Sequence, residues 1–131
     1  MTAKQWLGRG RKLDQEIEEL KKTQKTIEEQ LEKITPNYTS DGTQMTKDPH
    51  KFDRLVEIDS IIQNRIDDLL KVKAEILVMI FSLKDRRQIM VLKSYYIDQK
   101  TWEQTAVDLH YSYMQVTRIH GYALKEIEKM L

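Results

Sequence analysis

The sequence contains no cysteine. That absence removes disulfide frameworks, cysteine-ligated zinc sites and thiol nucleophiles, and it fits a reducing compartment. Turn formers are scarce, with four glycines and two prolines in 131 residues, against roughly 12% for the two together in average usage. A β-sandwich, a collagen-like repeat and a Gly-rich disordered chain are excluded on that ground. Long apolar runs are missing too. The longest, Ile76–Phe81, has six residues, whereas a membrane span needs about 18 or more. The start, Met-Thr-Ala-Lys-Gln-Trp-Leu-Gly-Arg, lacks the apolar stretch of a secretory signal. A cytoplasmic protein with no membrane partner is the expectation. An excess of one charge is also lacking, since 22 Lys and Arg oppose 21 Asp and Glu. Bulk charge therefore gives no argument for a nucleic-acid partner.

What is present points to helices. Charged residues make up 33% of the chain, above the roughly 25% of an average domain. The enrichment in Glu, Lys, Leu, Ile and Gln favours an all-α fold. The length suits one domain, or a small domain with an extension. The last third, from residue 83, carries eight basic and six acidic residues. Any DNA-binding surface must come from local placement.

The first long helix is expected over residues 3–34. Trp6, Leu13, Ile17, Leu20, Ile27, Leu31 and Ile34 recur at heptad spacing, with Gly10 and Gln24 on the same seam. Pro36 and the Asp41-Gly42 pair break it, and residues 35–48 read as a long surface loop. A second helix starts with Asp48 as N-cap and Pro49 at the first helical position. It runs to about Leu83, with a seam of Phe52, Leu55, Asp59, Ile62, Ile66, Leu69, Lys73, Ile76, Ile80 and Leu83. A partial second stripe holds Ile58, Ile61, Val72 and Met79, which calls for a second neighbour. A coiled-coil-like antiparallel hairpin over 1–82 follows. In it Gln24 falls near Asp59, a polar seam pair of the kind that fixes register. So little buried surface implies a homo-oligomer, a dimer in the simplest case.

Residues 83–131 read as three shorter helices. The first spans Asp85–Ile97, capped by Asp85, with Ile89, Leu92, Tyr96 and Met90 on its core face. The second spans Trp102–Leu109, with Thr101 and Gln104 spaced as a capping box. The third follows Ser112, with Gln115 completing a second box, and buries Val116, Ile119, Ala123, Leu124 and Ile127. Only His110-Tyr111-Ser112 separates the last two helices, the spacing of a helix-turn-helix. Ala106 supplies the small residue at the crossing. His110 takes the place where the turn wants positive φ, which His tolerates better than most non-glycine residues. A three-helix bundle with no DNA role satisfies the same spacing.

The stretch Leu-Lys-Asp-Arg-Arg-Gln-Ile-Met-Val-Leu…Tyr-Tyr-Ile…Thr-Trp-Glu-Gln-Thr-Ala…Leu-His-Tyr-Ser…Gln-Val-Thr-Arg-Ile-His-Gly-Tyr-Ala-Leu-Lys-Glu-Ile resembles region 4 of sigma-70-type factors. The whole chain resembles the ArpU/RinA-like regulators of phages and prophages of Gram-positive bacteria, whose starts match Met-Thr-Ala-Lys-x-Trp/Tyr-Leu. The resemblance implies a phage transcriptional regulator, acting on late genes, in a bacterial host cytoplasm.

With Ser112 as N-cap, Tyr113, Met114, Gln115, Thr117, Arg118 and Tyr122 face away from the core, and the start of a recognition helix reaches base edges. Arg118 suits a bidentate guanine contact, Gln115 adenine, and Thr117 a thymine methyl or a phosphate. Loss of the Arg118 side chain is expected to cost about 1–3 kcal/mol and relax specificity at one base pair. The matching sigma positions lie on the DNA-facing side. This chain departs from them in having a single Arg there, with Tyr113 and Met114 where charged residues are common. Arg86, Arg87, Lys93, Lys100 and Thr101 are candidates for flanking phosphates. The Gly8-Arg9-Gly10-Arg11-Lys12 cluster reads as a basic helix end, or as a minor-groove arm.

Enzyme readings find no footing. No P-loop or nucleophile motif is present, His110 and His120 lack ligand spacing, and no cofactor is implied. His120 is expected as a surface or DNA-flanking group. The expected partners are duplex DNA, a second copy of the chain and, as a further candidate, RNA polymerase. Two other functions fit the pattern: the DNA-recognition subunit of a phage packaging machine, and a protein-interaction module that does not bind DNA.

Overall fold

A computed structural model describes residues 1–34 and 50–131. Its helices are α1 (Ala3–Gly8), α2 (Leu13–Ile34), α3 (Lys51–Phe81), α4 (Arg86–Leu92), α5 (Trp102–Leu109) and α6 (Tyr113–Met130). A π-helical turn, Lys93–Ile97, continues α4. No strand occurs among the described residues. The 35–48 loop and the Asp48-Pro49 helix start lie outside them. The chain forms two compact units, Gln15–Leu69 on one hand and Met1–Asp14 with Leu70–Leu131 on the other.

The Gln15–Leu69 unit is built from most of α2 and the first part of α3. Its buried residues, Ile17, Ile27, Ile34, Leu55, Ile62, Ile66 and Leu69, are seam positions of the heptad reading. Phe52, also assigned to the seam, is exposed. The polar seam residues do not pair as expected. Gln24 Nε2 donates to Gln63 Oε1 at 2.8 Å, and Gln63 Nε2 donates in turn to Asp67 Oδ1 at 2.9 Å. Gln63 lies one helical turn beyond Asp59, and its amide accepts from Gln24 while donating to Asp67, two roles that an ionised carboxylate cannot combine. Asp59 Oδ1 is buried without a hydrogen-bond partner. An Arg65–Glu16 ion pair at 3.1 Å adds a solvent-exposed link.

In the other unit, the expected continuous helix over 3–34 is interrupted. Thr2 caps α1 through a capping box with Gln5. The chain then turns through Arg9–Lys12, where Gly10 N donates to Leu7 O at 2.9 Å and Arg11 N to Gly8 O at 3.2 Å. The turn brings Gly10 close against the rest of the unit. A Cβ there would stand 2.9 Å from the Tyr96 carbonyl oxygen and 3.4 Å from Ile76 Cδ1. Gly10 is thus buried, as its seam position implies, but through backbone approach to the π turn rather than through a side chain. The break lets α1 reach α6, where Ala3 N donates to Glu128 Oε1 at 2.7 Å. Lys73 pairs with Asp14 at 2.8 Å.

Asp85 caps α4, its carboxylate accepting from Arg87 N. The π turn closes with Asp98 N donating to Lys93 O, and Gln99 follows at positive φ. Val91, which the sequence reading left off the core face, is fully buried with Leu92 and Tyr96, whereas Met90 is exposed. The capping boxes at Thr101 and Ser112 are both formed. His110 adopts φ 60°, ψ 39°, the left-handed conformation its position demands. Val91, Ala106 and Val116 make a core lined by Trp102, Leu109, Tyr111 and Ile119. Further along α6, Ala123 and Ile127 are fully buried.

Candidate nucleic-acid interface

The first turns of α6 are held by their cap. Ser112 Oγ accepts from Gln115 N, and Gln115 Oε1 accepts from Ser112 N at 2.8 Å. The Gln115 amide oxygen is therefore engaged, which leaves Nε2 as its free donor and weakens the case for bidentate adenine reading. Tyr113, Met114, Thr117, Arg118 and Tyr122 are all exposed. Thr117 Oγ1 donates to Met114 O at 2.8 Å, so its proton is engaged while its methyl and the hydroxyl lone pairs remain for an outside contact. The Arg118 guanidinium lies 3.7 Å from Met114 Sδ, and a thioether is a weak acceptor that carries no charge.

A groove of about 210 Å³ collects part of the set. Arg87 from α4 and Gln115, Arg118, Ile119 and Tyr122 from α6 line it with Tyr111 from the turn. Tyr111 and Ile119 join it without being sequence candidates for the site. Their signal in the sequence is only that one lies in the three-residue turn and the other on the buried face of α6. The remaining candidates lie elsewhere. Lys100 pairs with Asp108 at 2.7 Å, Lys93 with Asp98 at 3.0 Å, and the Thr101 hydroxyl accepts from Gln104 N. Arg86 is exposed on α4 and does not line the groove. Arg87 touches Asp85 at 3.3 Å, and this neighbour draws the Asp85 carboxyl below its usual range.

The basic N-terminal cluster is used internally. Arg9 Nε donates to Trp6 O at 3.0 Å, and its guanidinium lies 4.7 Å from the Trp6 ring centroid. Arg11 Nη1 donates to Tyr95 O at 2.8 Å, with its guanidinium 3.9 Å from the Tyr95 ring centroid. Trp102 stacks on Tyr95 at 3.7 Å, which leaves the guanidinium the other face of the ring. These contacts fit the helix-end reading of the cluster, not the arm.

His120, expected as a surface or DNA-flanking group, is half-buried instead. Its Nε2 lies 2.7 Å from the Tyr96 hydroxyl, and its ring is 4.5 Å from that of Trp102. Burial, with a smaller contribution from Lys4, pushes its pKa down to about 4. Burial likewise raises the Tyr96 phenol. A neutral imidazole hydrogen-bonded to a neutral phenol is a structural pair.

Among the described residues, no group of three or more His, Asp or Glu side chains could hold a metal ion, and no helix is long and apolar enough to cross a membrane. Comparison with family models, curated proteins and solved structures returned no match.

Proposed function

We propose that the chain is a sequence-specific DNA-binding transcriptional regulator of the ArpU/RinA-like phage type. In this reading α5, the His110-Tyr111-Ser112 turn and α6 are a helix-turn-helix with α6 as recognition helix. One observation carries it. The turn is fixed by two capping boxes and a left-handed His110 over the Val91–Ala106–Val116 core, while Tyr113, Met114, Thr117 and Arg118 stay exposed on the first turns of α6. A rigid pair that keeps polar and aromatic side chains free at a helix start suits entry into a major groove. The α2 and first α3 segments would be the oligomerising hairpin. Exposed Val56, Ile58 and Ile61 there give a second copy an apolar surface. A two-fold dimer would bind an inverted repeat with half-sites about 34 Å apart.

Selection from random duplex DNA with the purified protein, at two salt concentrations, tests this reading. The expected result is one inverted-repeat motif whose affinity falls steeply with salt. Recovery of nothing above background at low salt would refute it. A second reading has an observation of its own. Val107 on α5 and Tyr113 and Met114 on α6 are 73%, 51% and 62% exposed, and apolar side chains left open to solvent also suit a protein partner such as RNA polymerase. A salt-insensitive complex with polymerase and no DNA binding would favour it.

A further inference from the structure

The groove between α4 and α6 has an unbalanced charge. Its lining residues are Arg87, Tyr111, Gln115, Arg118, Ile119 and Tyr122, two cations and no carboxylate. Among the described residues Arg118 faces no carboxylate, and Arg87 keeps one exposed partner, Asp85. The nearest polar contact of Arg118 is the uncharged Met114 sulfur at 3.7 Å. Arg87 shares Asp85 through long contacts of 3.3 and 3.4 Å on the open surface, where such a pair is worth little. The Asp85 carboxylate is already committed to capping α4 through Arg87 N at 2.9 Å. The uncharged polar groups add to the imbalance. Gln115 has its oxygen in the cap and its Nε2 N–H groups available to donate, and the Tyr111 and Tyr122 hydroxyls can donate. Packed helices therefore bring two guanidiniums and further donors to one concave place, an arrangement that an anion completes. Guanidinium forks match phosphate oxygens best. The groove of about 210 Å³ opens to solvent, so a backbone phosphate can reach it from outside.

We propose that this groove seats one backbone phosphodiester of duplex DNA, gripped jointly by Arg87 and Arg118. The proposal rests on the DNA-binding reading above and sharpens it. Arg118 becomes a residue that positions the protein on the backbone, in place of the guanine reader that helix position alone suggests. Base reading then falls to Tyr113, Met114 and Thr117.

The test uses the full chain and a pool of random-sequence 30-base-pair duplexes, with affinity followed between 50 and 200 mM salt. Arg87→Gln, Arg118→Gln and the double variant are compared with Lys71→Gln, which changes an exposed charge on α3, and equal far-UV spectra establish folding. Each single variant should weaken binding by about tenfold. The slope of log affinity against log salt should become shallower by about 0.9, the value for one phosphate. The double variant should lose no further slope and less affinity than the product of the singles, because both side chains hold the same group. Arg118→Lys should keep the slope. Lys71→Gln should change neither quantity.

Losses that multiply, with about twice the slope change, would mean two separate contacts and would overturn the joint seat. Unchanged affinity in the variants, with the parent chain still binding, would discard the seat and leave the DNA reading standing. A parent chain that binds no duplex at 50 mM salt would end both. In that case a response of the Tyr111 and Tyr122 resonances to inorganic phosphate would point to a phosphorylated protein as the ligand instead.

Discussion

The two compact units are held by different physics. In Gln15–Leu69 the buried side chains repeat along two helices, and the seam between them is tied at its polar level by Gln24 and Gln63. In the unit of Met1–Asp14 and Leu70–Leu131, Leu7, Ile76, Ile80, Val91, Leu92, Val116 and Ile127 have no exposure at all. There a backbone carbonyl packs on Gly10, and the aromatic rings of Tyr95 and Trp102 stack with Arg11. A seam of repeating residues adapts to single changes. A core assembled from distant segments does not, because each side chain meets neighbours fixed by other parts of the chain.

The largest test of that contrast is Leu92→Ala. Truncating this fully buried side chain should cost about 2–5 kcal/mol in urea unfolding. Ile27→Ala, at a seam position that is 7% exposed and flanked by only one other described helix of its unit, should cost less, and equal losses would erase the contrast. Gly10→Ala comes next. Its Cβ would meet the Tyr96 carbonyl oxygen at 2.9 Å, and the overpacking should cost about 1–3 kcal/mol. Gly8→Ala, with nothing within 4 Å, should be neutral or slightly stabilising. Thermal melts of the two variants give the comparison directly.

A smaller effect appears with pH. His120 titrates near 4 when folded against an ordinary 6.5, so the folded state favours the neutral ring. Its contribution to stability is complete above pH 6.5 and is lost as pH falls from there through about 4. Stability curves of the parent chain and His120→Gln should diverge in that window, and parallel curves would show that the ring is not desolvated. The smallest effect belongs to the seam surface. Arg65→Ala should change stability by about 0.2–1 kcal/mol and lose that effect at high salt, because its pair with Glu16 is exposed.

What the sequence makes legible follows the range of the interactions. The caps at Thr101 and Ser112, the left-handed His110 and the seams of α2 and α3 are set by residues within a turn or a heptad, and each is readable from spacing. The break after α1 is not, and the close approach of Gly10 that goes with it involves the Tyr96 carbonyl, 86 positions further along the chain. The Gln24 partner is missed by one turn, since register depends on the connection between the helices as well as on polarity. Val91 is missed because α4 meets α5 and α6 on a face that periodicity within α4 alone does not define. At the candidate site, helix phase gives the exposure of Tyr113, Met114, Thr117, Arg118 and Tyr122. It does not give the shared groove with Arg87 and Tyr111, which depends on how α4 packs against α6.

The central claim is that the exposed side of the first turns of α6 reads DNA sequence. The most direct measurement replaces Tyr113, Met114 and Thr117 together by Ala, leaving Ser112, Gln115, Val116 and Ile119 in place to hold the fold. The variant and the parent chain then go through the same random-duplex selection. The account predicts that the parent recovers a single motif, while the variant keeps its salt-dependent binding to duplex DNA and loses the motif. Recovery of the same motif by both proteins would contradict it.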